Sequence, residues 1–152
     1  MHAMLRFLKG FGITLAVLGC LFGLIQLVPY GRTHSNPRVV QEPQWDSPRT
    51  RELAVRACFD CHSNETRWPT YASIAPFSWV VQRDVDAARE VVNFSEWHAP
   101  SPLASYSGLS VRTGGMPPTK YRLAHPEADL TQQEILELAT GLDATLKKPG
   151  QR

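Results

Sequence analysis

Eighteen consecutive residues, Phe11 to Val28, carry no charge, and apart from Cys20 their only polar side chains are Thr14 and Gln26. Few folds are open to such a run. As a helix it spans about 27 Å at ~1.5 Å per residue, close to the hydrocarbon thickness of a bilayer. Leu5, Phe7 and Leu8 extend its apolar character, and Arg6 and Lys9 can snorkel to the interface. Pro29 and Gly31 end the pattern. Residues 1–30 therefore read as an N-terminal transmembrane anchor. Two other fates compete. A cleaved signal peptide needs small residues after its apolar core, and Leu27-Val28-Pro29-Tyr30 offers none. Val17-Leu18-Gly19-Cys20 resembles a lipobox, yet Leu21 to Val28 continues apolar where a lipoprotein would turn polar. The uncleaved anchor is the reading adopted, with Cys20 as a small apolar residue within it.

With Arg6 and Lys9 set aside, 14 basic residues face 14 acidic ones from Tyr30 onward. No basic stripe is present, so nucleic acid is not an expected partner. Residues 31–48 hold Pro37, Pro43 and Pro48 without periodicity and read as a linker. Helical signals follow over residues 49–148. Ser47 caps a helix with Pro48 at its first position, and Leu53, Ala54 and Ala57 share a face that leads into Cys58. Pro76 opens a second helix ending near Asn93, with Phe77, Val80, Val81, Ala88, Val91 and Val92 as its apolar stripe and Arg83, Asp86, Arg89 and Glu90 mostly away from it. A short helix fits between Leu103 and Val111, stopped by Gly114-Gly115. Thr131-Gln132-Gln133-Glu134 is a capping box before a last helix bearing Ile135, Leu138, Leu142 and Leu146, with Pro149-Gly150 beyond it. No alternating strand pattern occurs. The fold class is small all-α.

The chemistry lies in Cys58-Phe59-Asp60-Cys61-His62. Two thiols three positions apart can both reach the vinyl groups along one edge of a haem, and the next residue, His62, then sits under the ring as an iron ligand. Two thioether bonds would hold a cofactor that itself forms much of a small core. A zinc site would need two further Cys or His ligands at matching spacing, which His98 and His125 do not provide. A redox dithiol would need a strand before the motif, where the pattern is helical. Three cysteines in all are too few for a disulfide framework. The expected cofactor is one covalent haem c.

Met116, His98, His125 and His34 are candidates for the sixth ligand. Met116 is preferred: Gly114-Gly115 permits a tight approach, and Pro117-Pro118 stiffens the loop that would hold the thioether. Met ligation also raises the reduction potential relative to a second histidine, as an electron carrier requires. His125 precedes Pro126 and fits a cap or packing role, and His98 a loop role.

Cys58-Phe59-Asp60-Cys61-His62-Ser63-Asn64-Glu65-Thr66, then Trp68-Pro69 and Ile74-Ala75-Pro76-Phe77-Ser78-Trp79, resembles the bacterial haem-binding domain family of membrane-anchored monohaem c-type cytochromes. Asn93-Phe94-Ser95-Glu96-Trp97 is similar to that family's second signature, and Met116-Pro117-Pro118, Tyr121, His125-Pro126 and Leu130-Thr131 to its third. The resemblance runs from about Arg51 to Leu146. It implies a cytochrome c-like helical domain around one haem, often tethered by one helix, with His62 as proximal ligand and Met116 as distal ligand. The stretch between these two is long and carries Trp68, Trp79 and Trp97, which could wall the haem or donate to its propionates. Arg67, Arg83 and Tyr121 are further propionate candidates. Pro69 or Pro76 could supply the carbonyl that fixes the His62 tautomer. Asn64 and Glu65 read as cap or turn residues.

The function expected is transfer of single electrons between redox partner proteins, not enzymatic catalysis. Arg6 and Lys9 favour a cytoplasmic N-terminus, while Arg32 and Arg38 follow on the other side. The haem motif decides the orientation, since its attachment in the systems it resembles takes place outside the bacterial cytoplasmic membrane. The haem domain is thus expected in the periplasm, tethered to the inner membrane. Two further functions fit the motif: a peroxidase-like enzyme or small-molecule sensor with a labile sixth position, and an accessory subunit of a larger membrane redox complex.

Overall fold

The computed structural model describes residues 2–98 and 100–146, and in it the apolar run forms helix α1 (His2–Ile25). Arg6–Ile25 has a mean hydropathy of 2.0 and none of it is buried, so by length and composition α1 can cross a membrane. Six more helices follow: α2 (Pro48–Ala57), α3 (Phe59–His62), α4 (Phe77–Val91), α5 (Ser107–Arg112), α6 (Thr119–Ala124) and α7 (Gln132–Thr145), with 3₁₀ turns at Thr70–Ser73, Pro102–Tyr106 and Pro126–Ala128. The described residues contain no strand, only a single parallel bridge between Gln41 and Glu96. The fold class is all-α, as expected. Pro149-Gly150 lies outside the described residues.

The chain divides into two compact units. One joins the residues up to 34 with residues 69–83. Its seam is polar backbone. The Gln26 amide donates to Ala75 O (2.9 Å) and accepts from Ala75 N (3.0 Å). Gly31, at φ +79°, sits so close to the Ser78 carbonyl that no Cβ would fit, which only glycine satisfies on both counts. His34 Nε2 lies 3.1 Å from Ala72 O.

The second unit holds residues 35–68 and the described residues from 84 onward. Ser47 accepts from Thr50 N and Pro48 occupies the first position of α2, as its sequence dictates. The Thr131–Glu134 capping box starts α7. Leu53, Ala54 and Ala57 on α2 and Leu138, Ala139, Leu142 and Leu146 around α7 are buried in one core. The α2–α7 contact is close because Gly141 faces the Thr50 side chain with no room for a Cβ. Gly108 brings α5 equally close to the Ala139 carbonyl.

Three expectations change. Residues 31–48 do not run free as a linker throughout: Val40 and Gln41 N–H groups both donate to Ser95 O, Trp97 N donates to Gln41 O, and Trp45 packs on Phe59 and Phe94. The expected stripe of α4 is only partly inward. Phe77, Val80 and Val91 are exposed, while Val85 and Val92 are buried. Arg89, expected to point away, turns inward instead. Its guanidinium donates to Ser63 O (2.8 Å) and Thr66 Oγ1 (3.0 Å), which turns a polar residue toward the packed face. Finally, α6 follows Pro118, where no helix was expected.

Candidate functional site

Cys58 marks a break in the helical path. Its N–H still donates to Ala54 O (2.8 Å), closing α2, but its backbone leaves helical geometry at φ −127°. Its carbonyl then accepts from Cys61 N (3.1 Å) and His62 N (2.9 Å), starting the single turn of α3. The two cysteines therefore flank one short turn, and His62 follows directly. Burial pushes the Cys58 thiol up to about 12, with Cys61 adding to the effect, and burial then Asp60 push Cys61 up to about 11. Both remain protonated thiols at neutral pH, the reverse of the lowered pKa a reactive redox dithiol needs.

His62 is held by the end of α4. Its Nδ1 lies 3.1 Å from Ala88 O and 3.0 Å from Val92 O. Both neighbours are carbonyls, so Nδ1 carries the proton and Nε2 keeps its lone pair. Burial lowers the imidazole pKa despite these bonds, which keeps the ring neutral. The carbonyl expected from Pro69 or Pro76 thus comes from Ala88 and Val92 instead. The physical reason is that Val92 O lies past the last turn of α4, without an intrahelical donor, and beside it Ala88 O, already accepting from Val92 N (2.9 Å), uses its second lone pair. The reverse bond, Phe94 N to His62 O (2.8 Å), closes the junction.

Met116 is placed by the turn after α5. Gly115 N and Met116 N both donate to Ser110 O (2.8 and 3.1 Å), and Gly114 adopts φ +76°. A cavity of about 90 Å³ is lined by Cys58, His62 and Met116 together with Val92, Phe94, Tyr106, Val111 and Leu142. A second cavity, about 270 Å³, also has Met116 and Val111 on its wall, with Arg112, Arg122 and Ile135. The structure thus brings Cys58, His62 and Met116 to one mostly apolar space. Cys61 adjoins Cys58 but does not line that cavity. His125 stacks on Tyr121 at 4.2 Å with Nδ1 3.3 Å from Glu127, and His98 is exposed; neither lines the cavity. His34 belongs to the other unit.

Of the groups considered for propionates, Arg67, Tyr121, Trp68 and Trp97 have other engagements, while Trp79 and Arg83 belong to the other unit. Arg67 donates to Asp60 from N, Nε and Nη2 (each 3.1 Å), Tyr121 donates to Asp60 Oδ2 (2.6 Å), and Trp68 donates to Asn36 (3.0 Å). Trp97 stacks on Phe94 at 6.2 Å. Burial alone would raise the Asp60 carboxyl, but Arg67 and Tyr121 outweigh it and hold the group below its ordinary value. Two residues here were missed from sequence. Asp60, between the cysteines, organises this cluster. Asn64 is no simple turn residue: it donates to Arg38 O (3.0 Å) and Glu96 Oε1 (2.9 Å) and accepts from Asn93 (2.9 Å). The only hint was the pairing of two asparagine-bearing signatures, 64 and 93.

The donor set fits a haem: a neutral imidazole with a free Nε2, a thioether facing the same apolar space, and a half-buried thiol on its wall. A family model described as a haem-binding domain matches residues 20–144. No curated protein and no solved structure matches the chain. With most of its length inside that match, the chain belongs to the haem-binding domain family.

Proposed function

We propose that the protein is a membrane-anchored monohaem c-type cytochrome that transfers single electrons between redox proteins at the bacterial inner membrane. The observation that carries this reading is the convergence of Cys58, His62 and Met116 on one apolar cavity, with Cys61 beside Cys58. A haem held there supplies a one-electron couple at its iron. The chain's part is attachment through Cys58 and Cys61, ligation by His62 Nε2 and Met116 Sδ, and exclusion of water by Val92, Phe94 and Leu142. Hydrogen bonding of His62 Nδ1 to the end of α4 orients the ring and fixes its tautomer.

In this reading α1 keeps the carrier at the membrane and residues after Tyr30 lie in the periplasm. The redox partners act there on a tethered domain or within a larger membrane complex. The test is an absorption spectrum of the full chain in detergent, oxidised and reduced, with a redox titration. A covalent haem, a six-coordinate ferrous spectrum indifferent to carbon monoxide and one reversible couple are expected. Complete carbon monoxide binding would instead support the enzyme or sensor reading, and absence of covalent haem would overturn c-type attachment.

A further inference from the structure

The segment 70–80 carries two rows at three-residue spacing. Ala72, Ala75 and Ser78 are fully buried. Tyr71, Ile74, Phe77 and Val80 are exposed by 38, 46, 59 and 44%. The Tyr71 and Phe77 rings meet edge-on at 6.3 Å, so the exposed row is a continuous apolar patch. Scattered exposed apolar residues need no explanation, but an ordered row does.

The height of this row is set by the seam to α1. Gln26, the residue after the Arg6–Ile25 span, pairs its amide with both the N–H and the C=O of Ala75. The span of 20 residues is about 30 Å long at ~1.5 Å per residue, equal to the hydrocarbon core. Gln26 is the first residue past that span and two residues short of the end of the uncharged run at Val28, so it stands near the edge of that core, and Ala75 is bound at the same level. Arg32 donates to Gln26 Oε1 (2.9 Å), which places a cation just beyond it, where lipid headgroups begin. Tyr30 and Tyr71, both exposed, have the amphipathic rings that membrane interfaces favour.

We infer that Tyr71, Ile74, Phe77 and Val80 form a second membrane contact, inserted among lipid headgroups and upper acyl chains beside the foot of α1. The occupant of the patch is the lipid interface. Apolar side chains immersed roughly 5–10 Å at that boundary are buried among lipid. The contact holds residues 69–83 against the bilayer beside α1. This inference rests on α1 crossing the membrane.

The chain has four isoleucines, Ile13, Ile25, Ile74 and Ile135, which makes a methyl experiment selective. The full-length reduced protein, labelled at isoleucine methyls, is placed in nanodiscs of phosphatidylcholine and phosphatidylglycerol, with and without a lipid spin-labelled near its carbonyl. Ile74→Leu assigns the Ile74 signal while keeping the patch apolar. The expected result is that Ile74 loses intensity to the same degree as Ile25. Broadening of Ile25 with an unaffected Ile74 overturns the second contact and leaves the anchor intact. Protection of Ile13 and Ile25 as well overturns the anchor itself, and the contact with it.

Discussion

The Tyr121 hydroxyl donates to Asp60 Oδ2 across 2.6 Å. Asp60 stands between the two cysteines, and Tyr121 lies on α6, just past Met116 and its two prolines. This one bond therefore ties the turn that carries Cys61 and His62 to the segment that carries Met116. Arg67 completes the carboxylate's shell from a third stretch of chain. If His62 and Met116 are to ligate one iron, their spacing depends on such a tie.

Tyr121→Phe removes the bond while keeping the ring that stacks on His125. The Asp60 side chain is 8% exposed, so its lost donor is not simply replaced by water. A cost of about 1–3 kcal/mol at pH 7 is expected. The pH dependence follows from linkage. Asp60 has a folded pKa below its unfolded value, so its contribution is present above the unfolded value, ~3.9, and is lost as pH falls through the folded one. Denaturant unfolding of the two proteins should thus differ at pH 7 and converge at an acid pH below the folded pKa of Asp60. An equal gap at both pH values would show that Asp60 ionisation is not what the tyrosine supports.

Much of this was legible in residues whose neighbours in sequence are also their partners in space. Ser47 and Pro48, Thr131 and Glu134, and the stop at Gly114 act within a few positions, and each does what its local chemistry dictates. The apolar run of α1 is its own argument. The misreadings share one cause, which is that the deciding partner lies far along the chain. Trp45 is core because Phe59 and Phe94 meet it, and Arg89 turns inward because Ser63 and Thr66 offer it acceptors. The His62 acceptors were missed for the same reason, since only the folded chain brings the end of α4 to the motif.

The proposed attachment makes the two cysteines interchangeable in this test. With one thioether at each, Cys58→Ser and Cys61→Ser would each leave one bond, so each single variant should keep haem through denaturing electrophoresis at reduced yield. The double variant should lose all haem staining under those conditions, because His62 ligation alone does not survive unfolding. Staining that persists in the double variant would place the attachment elsewhere.

On the proposed ligation, Met116→Ala removes the thioether and would open the sixth position. Reduced variant should bind carbon monoxide where the parent does not, and its midpoint potential should fall by on the order of 0.1 V, within the ~0.8 V range that axial ligation spans. Gly114 provides a second handle on the same residue. With φ at +76°, an alanine there is strained whatever space surrounds it, so Gly114→Ala should loosen Met116 and give partial carbon monoxide binding with the thioether still present. Unchanged spectrum and potential in Met116→Ala would remove Met116 from the iron.

Asn64 joins three segments with its two Nδ2 donations, to Arg38 O and Glu96 Oε1, its acceptance from Asn93 Nδ2, and its own N–H to Ser95 Oγ (2.9 Å). The residue is 2% exposed, so each orphaned partner would be costly. Asn64→Ala should destabilise by about 1–3 kcal/mol and free residues 38–41 to proteolysis, because their strand-like contact with Ser95 and Trp97 lies beside this amide. Asn64→Asp is the sharper probe. It retains the acceptor for Asn93 but sets a carboxylate against a carbonyl and against Glu96, an arrangement that favours the protonated form. The introduced group then has a folded pKa above its unfolded value, so its penalty is small in acid and grows as pH rises past ~4. Unfolding midpoints of this variant measured from pH 4 to pH 8 should therefore diverge downward from the parent's. A constant offset across that range would mean that Asn64 faces water and not the Arg38 and Glu96 oxygens.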